Sequence, residues 1–413
     1  MNILFRAPSH QQRSRGELLS IQYPEVFDFE KGFNRWMQIK AEYGADGLAE
    51  KVAEIKELLQ VQLGELIALP DNPGLANVEP NDLDPMKTLR PQGRRRIWST
   101  IPTGEYRERL EGALTGRFAG CTLGSIVESW TIEKMRSWAD YIGDPFPPQY
   151  YWSQAERPND LKHKICRREN FTPAKMDGVP DDDDTIYTQL GLLILEAYGP
   201  NFTTEDVGAA WLKYLPLAYT AEEVALNNLR KGVPAQDAGF LGNPWAQWIG
   251  AGIRSDPWGY TAPGWPEKAA EMADRDSYLS HRRNGIFGAM YFSAVISTAF
   301  TVADPMEALS IGLEEIPRDC LLAQGVRWAL SEAKNMRDYQ DANAAVTARY
   351  PGMFHVHAVN NACLTIFGLS IGGSDFSKIV GQTVAMGFDN DCTAATAGSI
   401  AGAVLGKQRI PEH

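Results

Sequence analysis

The sequence predicts an all-α fold. Three observations carry this: apolar residues recur at helical spacing, helix-start signals are frequent, and the alternation expected of strands is scarce. Residues 1–30 show no regular pattern. Over 46–68, Leu48, Val52, Ile55, Leu59, Leu63 and Leu66 recur every three or four residues, which predicts an amphipathic helix. Pro70, Pro73, Pro80, Pro85, Pro91 and Pro102 then punctuate a long connector. This divides the chain into an N-terminal helical extension with its proline-rich connector (1–104) and a main all-α domain (105–413). Within the latter, Thr203 with Asp206 and Thr220 with Glu223 stand at capping-box spacing. Asp304-Pro305 pairs an N-cap residue with proline at the first helical position. No internal repeat of solenoid length is visible.

Bulk composition narrows the function. The 413 residues are 44% hydrophobic and 22% charged, enough for a sizeable core. The net charge of −12 argues against a nucleic-acid binder, which needs a basic face. The one basic block, Arg94-Arg95-Arg96, reads as a solvated loop. The N-terminus has no apolar stretch of signal-peptide length, and no window approaches the roughly 18 apolar residues of a membrane span. Five widely spaced cysteines with no CxxC pair suggest neither a zinc knuckle nor a disulfide framework, and a reducing cytoplasm is expected. GxSxG, P-loop, GxGxxG and HExxH motifs are absent.

Gly112, Gly116, Gly120 and Gly124 fall every four residues, and Glu128 takes the next step. Each step of four turns only about 40° around a helix, so the glycines form one slowly drifting stripe without side chains. Each costs a helix about 1 kcal/mol relative to alanine. Four together need a compensating reason, and close approach of another helix is the obvious one. A membrane dimer motif is the rival, but Arg109, Glu111 and Arg117 on the same helix oppose it.

Two acidic clusters each open a helix. The first is Asp181-Asp182-Asp183-Asp184, followed by Ile186, Leu190, Leu193 and Ala197 as an apolar face and Gly199-Pro200 as a stop. The second is Asp389-Asn390-Asp391, followed by Gly398, Gly402 and Gly406. One aspartate satisfies the positive end of a helix dipole. Three or four adjacent carboxylates repel one another, and they point to a hard divalent cation such as Mg²⁺, Mn²⁺ or Ca²⁺ rather than zinc.

Taken together these motifs resemble the ADP-ribosylglycohydrolase family. Residues 112–129, GALTGRFAGCTLGSIVES, are similar to its opening helix, G-A-L-x-G-x-x-x-G-D-A-L-G-x-x-x-E, with Glu128 on the glutamate and Cys121 in place of aspartate. Residues 182–185, DDDT, resemble T-D-D-T: Asp183 and Asp184 match, and Asp182 replaces the hydroxyl residue. Residues 389–406 resemble D-T-D-T-I-A-x-x-A-G-A-I-A-G-A: Asp389 and Asp391 match, and Cys392 replaces the second threonine. Weaker echoes lie at 250–259, GAGIRSDPWG, and 280–289, SHRRNGIFGA. The resemblance covers about 105–410.

The resemblance implies an orthogonal multi-helix fold with two divalent cations, Mg²⁺ or Mn²⁺, in a central cleft. It makes Asp182, Asp183, Asp184, Asp389, Asp391 and Cys392 the candidate metal ligands and Glu128 the candidate acid or base near the scissile ribose C1 bond. A thiol is a poor partner for Mg²⁺, so Cys392 either stands back from the metal or shifts preference toward Mn²⁺ or a softer ion. Trp258, His281, Asn284, His355 and His357 are candidate substrate contacts, although core packing is the stronger reading for the aromatic and histidine residues. The implied partner is an ADP-ribosylated macromolecule or a ribosylated small molecule. A nucleoside N-ribosyl hydrolase, a catalytically silent ADP-ribose binder and a metal-dependent phosphohydrolase are the alternatives.

Overall fold

A computed structural model describes residues 24–158 and 168–412. Two compact units emerge: one contains residues up to Asn77 with Tyr350–Met353, the other Val78–Arg349 and Phe354 onward. The first unit holds α1 (Pro24–Glu42) and α2 (Leu48–Ile67). The start of α1 falls where no regular pattern was visible; Pro24 suits the first helical position. The helix expected over 46–68 is α2, yet none of its residues is buried, and Leu59, Leu63 and Leu66 are exposed.

The second unit begins with α3 (Leu83–Leu89), α4 (Thr103–Ser125), α5 (Ile132–Ile142) and α6 (Asp183–Tyr198). It continues through α7 (Thr204–Tyr214), α8 (Thr220–Arg230), α9 (Ala235–Ala238), α10 (Asp256–Thr261), α11 (Pro266–Ser277) and α12 (Asn284–Ala299). It ends with α13 (Pro305–Gly312), α14 (Leu321–Glu332), α15 (Tyr339–Arg349), α16 (Ala358–Gly372), α17 (Phe376–Ala385) and α18 (Asn390–Leu405). Among the described residues there is no strand, only an isolated bridge between Trp248 and His357. No described helix is long and apolar enough to cross a membrane.

The core centres on α12, every residue of which is buried, with α16 and α18 nearly so. Helices this apolar on all sides belong inside a large domain. Around α12 pack α10, α11, α13, α16 and α18.

Local signals mostly act as read. Thr203 and Asp206 form a reciprocal capping box on α7, and Asp304 caps α13 through the Met306 N–H at 2.9 Å. At α8 the expected box does not form. Thr220 opens the helix with left-handed backbone, φ 47°, so the preceding Tyr219 takes the cap position and no side chain caps the end. The apolar face expected on α6 is also corrected: Ile186, Leu193 and Ala197 are exposed, while Leu190, Gly191 and Ile194 face inward with Asp184, Thr185 and Thr188. Polar anchoring sets this rotation. Arg117 holds the Asp184 carbonyl and the Thr188 hydroxyl, and Gly191 lies against Pro257. The basic block is only partly solvated: Arg94 and Arg96 are exposed, but Arg95 docks on buried Glu315 at 2.9 Å.

Candidate metal centre

The glycine stripe brings the centre together. A methyl group at Gly116 would lie 2.1 Å from the Gly398 carbonyl oxygen, one at Gly120 2.1 Å from that of Ala394, and one at Gly124 2.4 Å from the Asp391 Cα. The contact is mutual, since methyl groups at Gly398 and Gly402 would lie 2.2 and 2.1 Å from the Gly116 and Gly112 carbonyl oxygens. So α4 and α18 run antiparallel with their backbones touching. The end of α4 thereby meets the beginning of α18, and Glu128 meets Asp389 and Asp391.

The turn after α4 is held tightly. Ser129 and Phe388 adopt φ of 60° and 63°, and the Ser129 N–H donates to the Phe388 carbonyl at 3.1 Å. Left-handed backbone at non-glycine residues stores strain that often marks functional sites. Asn390 reaches from α18 to the Val384 carbonyl at 2.9 Å and fixes the approach of the second acidic cluster.

The first cluster arrives from α6. Asp182 caps that helix through the Asp184 N–H and accepts from the Ser125 hydroxyl at 2.8 Å, which ties α6 to the end of α4. Asp181 is exposed and outside the cluster. Three triads of potential ligand atoms result, each with its atoms within 4.8 Å of one another: Asp182, Asp183 and Asp184; Asp184, Asp391 and Cys392; and Glu128, Asp389 and Asp391. Asp184 and Asp391 each belong to two triads, so the three join into one cluster. Oxygen ligands bind hard cations at roughly 2.0–2.6 Å, so atoms this close can share one ion. All six ligand candidates and Glu128 therefore converge from three stretches of chain.

The electrostatics are those of crowded carboxylates. Burial pushes the Asp184 carboxyl up to about 8, against the opposing pull of Arg117. Burial also raises Asp389 to about 6 and Asp183 and Asp391 well above the usual range, with neighbouring carboxylates adding to each. Asp391 Oδ1 is buried without a hydrogen-bond partner. An orphaned carboxyl oxygen in an acidic cluster is the kind of donor a cation satisfies. Glu128 stands exposed at the rim; partial desolvation by the surrounding protein raises its carboxyl, and Arg168, at 3.2 Å, opposes this. The Cys392 thiol donates to Asp184 Oδ2 at 3.1 Å, and burial with the nearby carboxylates keeps it protonated.

Arg117 is the residue that sequence reading missed. It is fully buried and pairs with Asp184 at 3.0 Å and Asp256 at 2.9 Å. Burial works against its charge, but Asp256 and Asp184 more than offset this and hold it protonated. The one signal in the sequence was an arginine immediately after Gly116 of the stripe, on a helix that another was expected to approach closely. A second buried network lies alongside: Arg254, from 250–259, joins Glu222 at 2.7 Å and Asp276 at 2.8 Å.

The five candidate substrate contacts divide. His355 Nε2 lies 3.1 Å from the Ser129 hydroxyl, next to Glu128. With Ser129, Trp130, Asn343, Gly387 and Phe388 it lines a cavity of about 380 Å³. His357 instead caps α16 through the Val359 N–H, and Asn361 Nδ2 donates to both histidine carbonyls, fixing their loop. His281, Asn284 and Trp258 are buried, with essentially no surface in this structure. Asn284 is committed to Glu79, Gln247 and the Leu322 N–H, His281 to Ser280, and Trp258 packs on Phe202. The described cysteines, Cys121, Cys320, Cys363 and Cys392, are buried and form no disulfide among the described residues; Cys166 lies outside the described residues.

Comparison with known proteins agrees with this geometry. No curated protein matches the chain. A solved structure described as an "ADP-ribosylglycohydrolase-related protein complex" is similar in fold, with a TM-score of 0.52 and 20% identity, covering 75% of this chain and 91% of that one. The ADP-ribosylglycohydrolase family model matches residues 102–413. With three-quarters of its length matched, and with the family's acidic motifs meeting at one centre, the chain belongs to the ADP-ribosylglycohydrolase family.

Proposed function

We propose that the protein is a metal-dependent hydrolase that cleaves a glycosidic bond at ribose C1, acting on an ADP-ribosylated macromolecule or a ribosylated small molecule. One observation carries the reading: Glu128, Asp182, Asp183, Asp184, Asp389 and Asp391, spread over more than 250 residues of chain, share a single cluster. The cluster is suited to a pair of divalent cations, which would supply charge stabilisation and orient the ribose diol and a water molecule.

The chain's own residues divide the remaining work. Glycoside cleavage develops positive charge at C1 and needs a proton donor or acceptor beside it. Glu128 is the carboxyl at the open rim, and its raised proton affinity suits exchange with a leaving group or water. Arg168 holds it from one side at 3.2 Å. Asp184, held by Arg117, and Asp391, set by the glycine contact, are rigid members of the cation cradle. The cavity lined by His355, and by Ser129 and Phe388 next in sequence to Glu128 and Asp389, offers a volume for the group attached to C1.

The test is a product assay in the presence of Mg²⁺ or Mn²⁺ with ADP-ribosyl-arginine, ADP-ribosyl-serine, O-acetyl-ADP-ribose and a nucleoside panel. Release of a free ribosyl product, abolished by chelator, is expected. Folded protein that turns over none of these, while still binding ADP-ribose, would replace this reading with a silent binder.

A further inference from the structure

We infer that Cys392 makes one position of the centre a mixed oxygen–sulfur site, selective for a transition ion between Mn²⁺ and Zn²⁺ over Mg²⁺. The inference rests on the reading that the cluster holds divalent cations, and it adds which ion one position takes.

Three observations meet here. The Cys392 sulfur lies within 4.8 Å of ligand oxygens from both Asp184 and Asp391, and all three residues are buried. Its thiol bonds to Asp184 Oδ2, so its lone pairs and those of that carboxylate face one another across a proton. Asp391, only 4% exposed, has Oδ1 without a partner. A buried carboxyl oxygen left without a partner beside a thiol and a second carboxyl is an open donor position, and a cation in place of the thiol proton would fill it. On binding, the S–H bond breaks, an S–metal bond forms and the proton passes to the buffer, one per ion bound there. A thiolate favours borderline and soft ions, whereas Mg²⁺ selects oxygen.

The neighbouring triad of Glu128, Asp389 and Asp391 offers oxygen only. Asp391 is common to both, so the geometry sets a hard position beside a thiophilic one. Cys121 does not share this role: its sulfur faces the Ser125 hydroxyl at 3.7 Å and it joins no triad among the described residues. It serves as the control.

The experiment uses the full chain, stripped with chelator and titrated with Co²⁺ under absorption spectroscopy. Wild type is expected to show visible ligand-field bands together with a near-ultraviolet thiolate-to-cobalt band, and to release a proton as that band grows. Cys392→Thr should keep the visible bands, lose the near-ultraviolet band, and shift the Mn²⁺-to-Mg²⁺ affinity ratio toward Mg²⁺ by roughly tenfold, the low end of what changes around a metal produce. Cys121→Ser should leave all three unchanged. Visible bands without the thiolate band in wild type would overturn the inference and leave the proposed function standing. This outcome needs no variant, so a misfolded Cys392→Thr cannot shield the inference. A thiolate band that persists in folded Cys392→Thr would overturn it too. Absence of any Co²⁺ binding to folded wild type would overturn the cation reading itself, and this inference with it.

Discussion

Ser129 donates its backbone N–H to the Phe388 carbonyl at 3.1 Å, and both residues hold a left-handed backbone. Glu128 precedes the first and Asp389 follows the second. One hydrogen bond between two strained residues therefore sets the distance between the rim carboxyl and the buried acids. Ser129→Val should destabilise the protein by about 1–2 kcal/mol, because β-branching disfavours this backbone, while Ser129→Gly should be tolerated. Thermal melting of both variants checks this. Equal stability of the two would show that the strain is not real.

Removing the glycine stripe should damage stability and site together. Gly120→Ala places a methyl 2.1 Å from the Ala394 carbonyl oxygen, on backbone that cannot swing aside. A loss of about 1–3 kcal/mol is expected, with weaker divalent-cation binding as α18 shifts away. The control is Gly104→Ala, at the exposed start of α4 with nothing near the added methyl, which should be neutral or slightly stabilising. Denaturant melts and calorimetric cation titrations read both effects.

Glu128→Gln preserves shape but cannot exchange a proton. Turnover of whichever substrate the product assay identifies should fall about 10²–10⁴-fold with an unchanged melting temperature. Wild-type turnover in this variant would take Glu128 out of the catalytic role.

Arg254 lies 2% exposed between Glu222 and Asp276. Arg254→Met leaves two buried carboxylates facing each other, and breaking such a pair costs about 3–5 kcal/mol. Equilibrium urea unfolding should show this loss, and the accompanying Glu222→Gln and Asp276→Asn changes should recover part of it.

Divalent cations should stabilise the fold. A ligand that binds only the native state at a hundred times its dissociation constant adds about 2.7 kcal/mol, so chelator should lower the melting temperature and added cation restore it. A melting temperature indifferent to chelator and to added Mg²⁺ or Mn²⁺ would count against cation binding in the native cluster.

By itself the sequence determined the helical class, the capping signals at Thr203 and Asp304, the need of the glycine stripe for a close neighbour, and the acidic positions worth joining. These are local properties: periodicity, turn chemistry and charge density are written within a few turns of chain. Tertiary structure alone decided which helix meets the stripe, that Arg117 is buried against Asp184 and Asp256, and that Arg95 docks on Glu315. It rotated α6 so that Thr185 and Thr188 face inward and Leu193 outward, and it enclosed His281, Asn284 and Trp258 while leaving His355 against the Ser129 hydroxyl. The reason is common to all of these. Whether a charge is solvated or paired, and whether a polar ring meets substrate or core, depends on segments a hundred or more residues away, and residue type alone carries no record of which ones arrive.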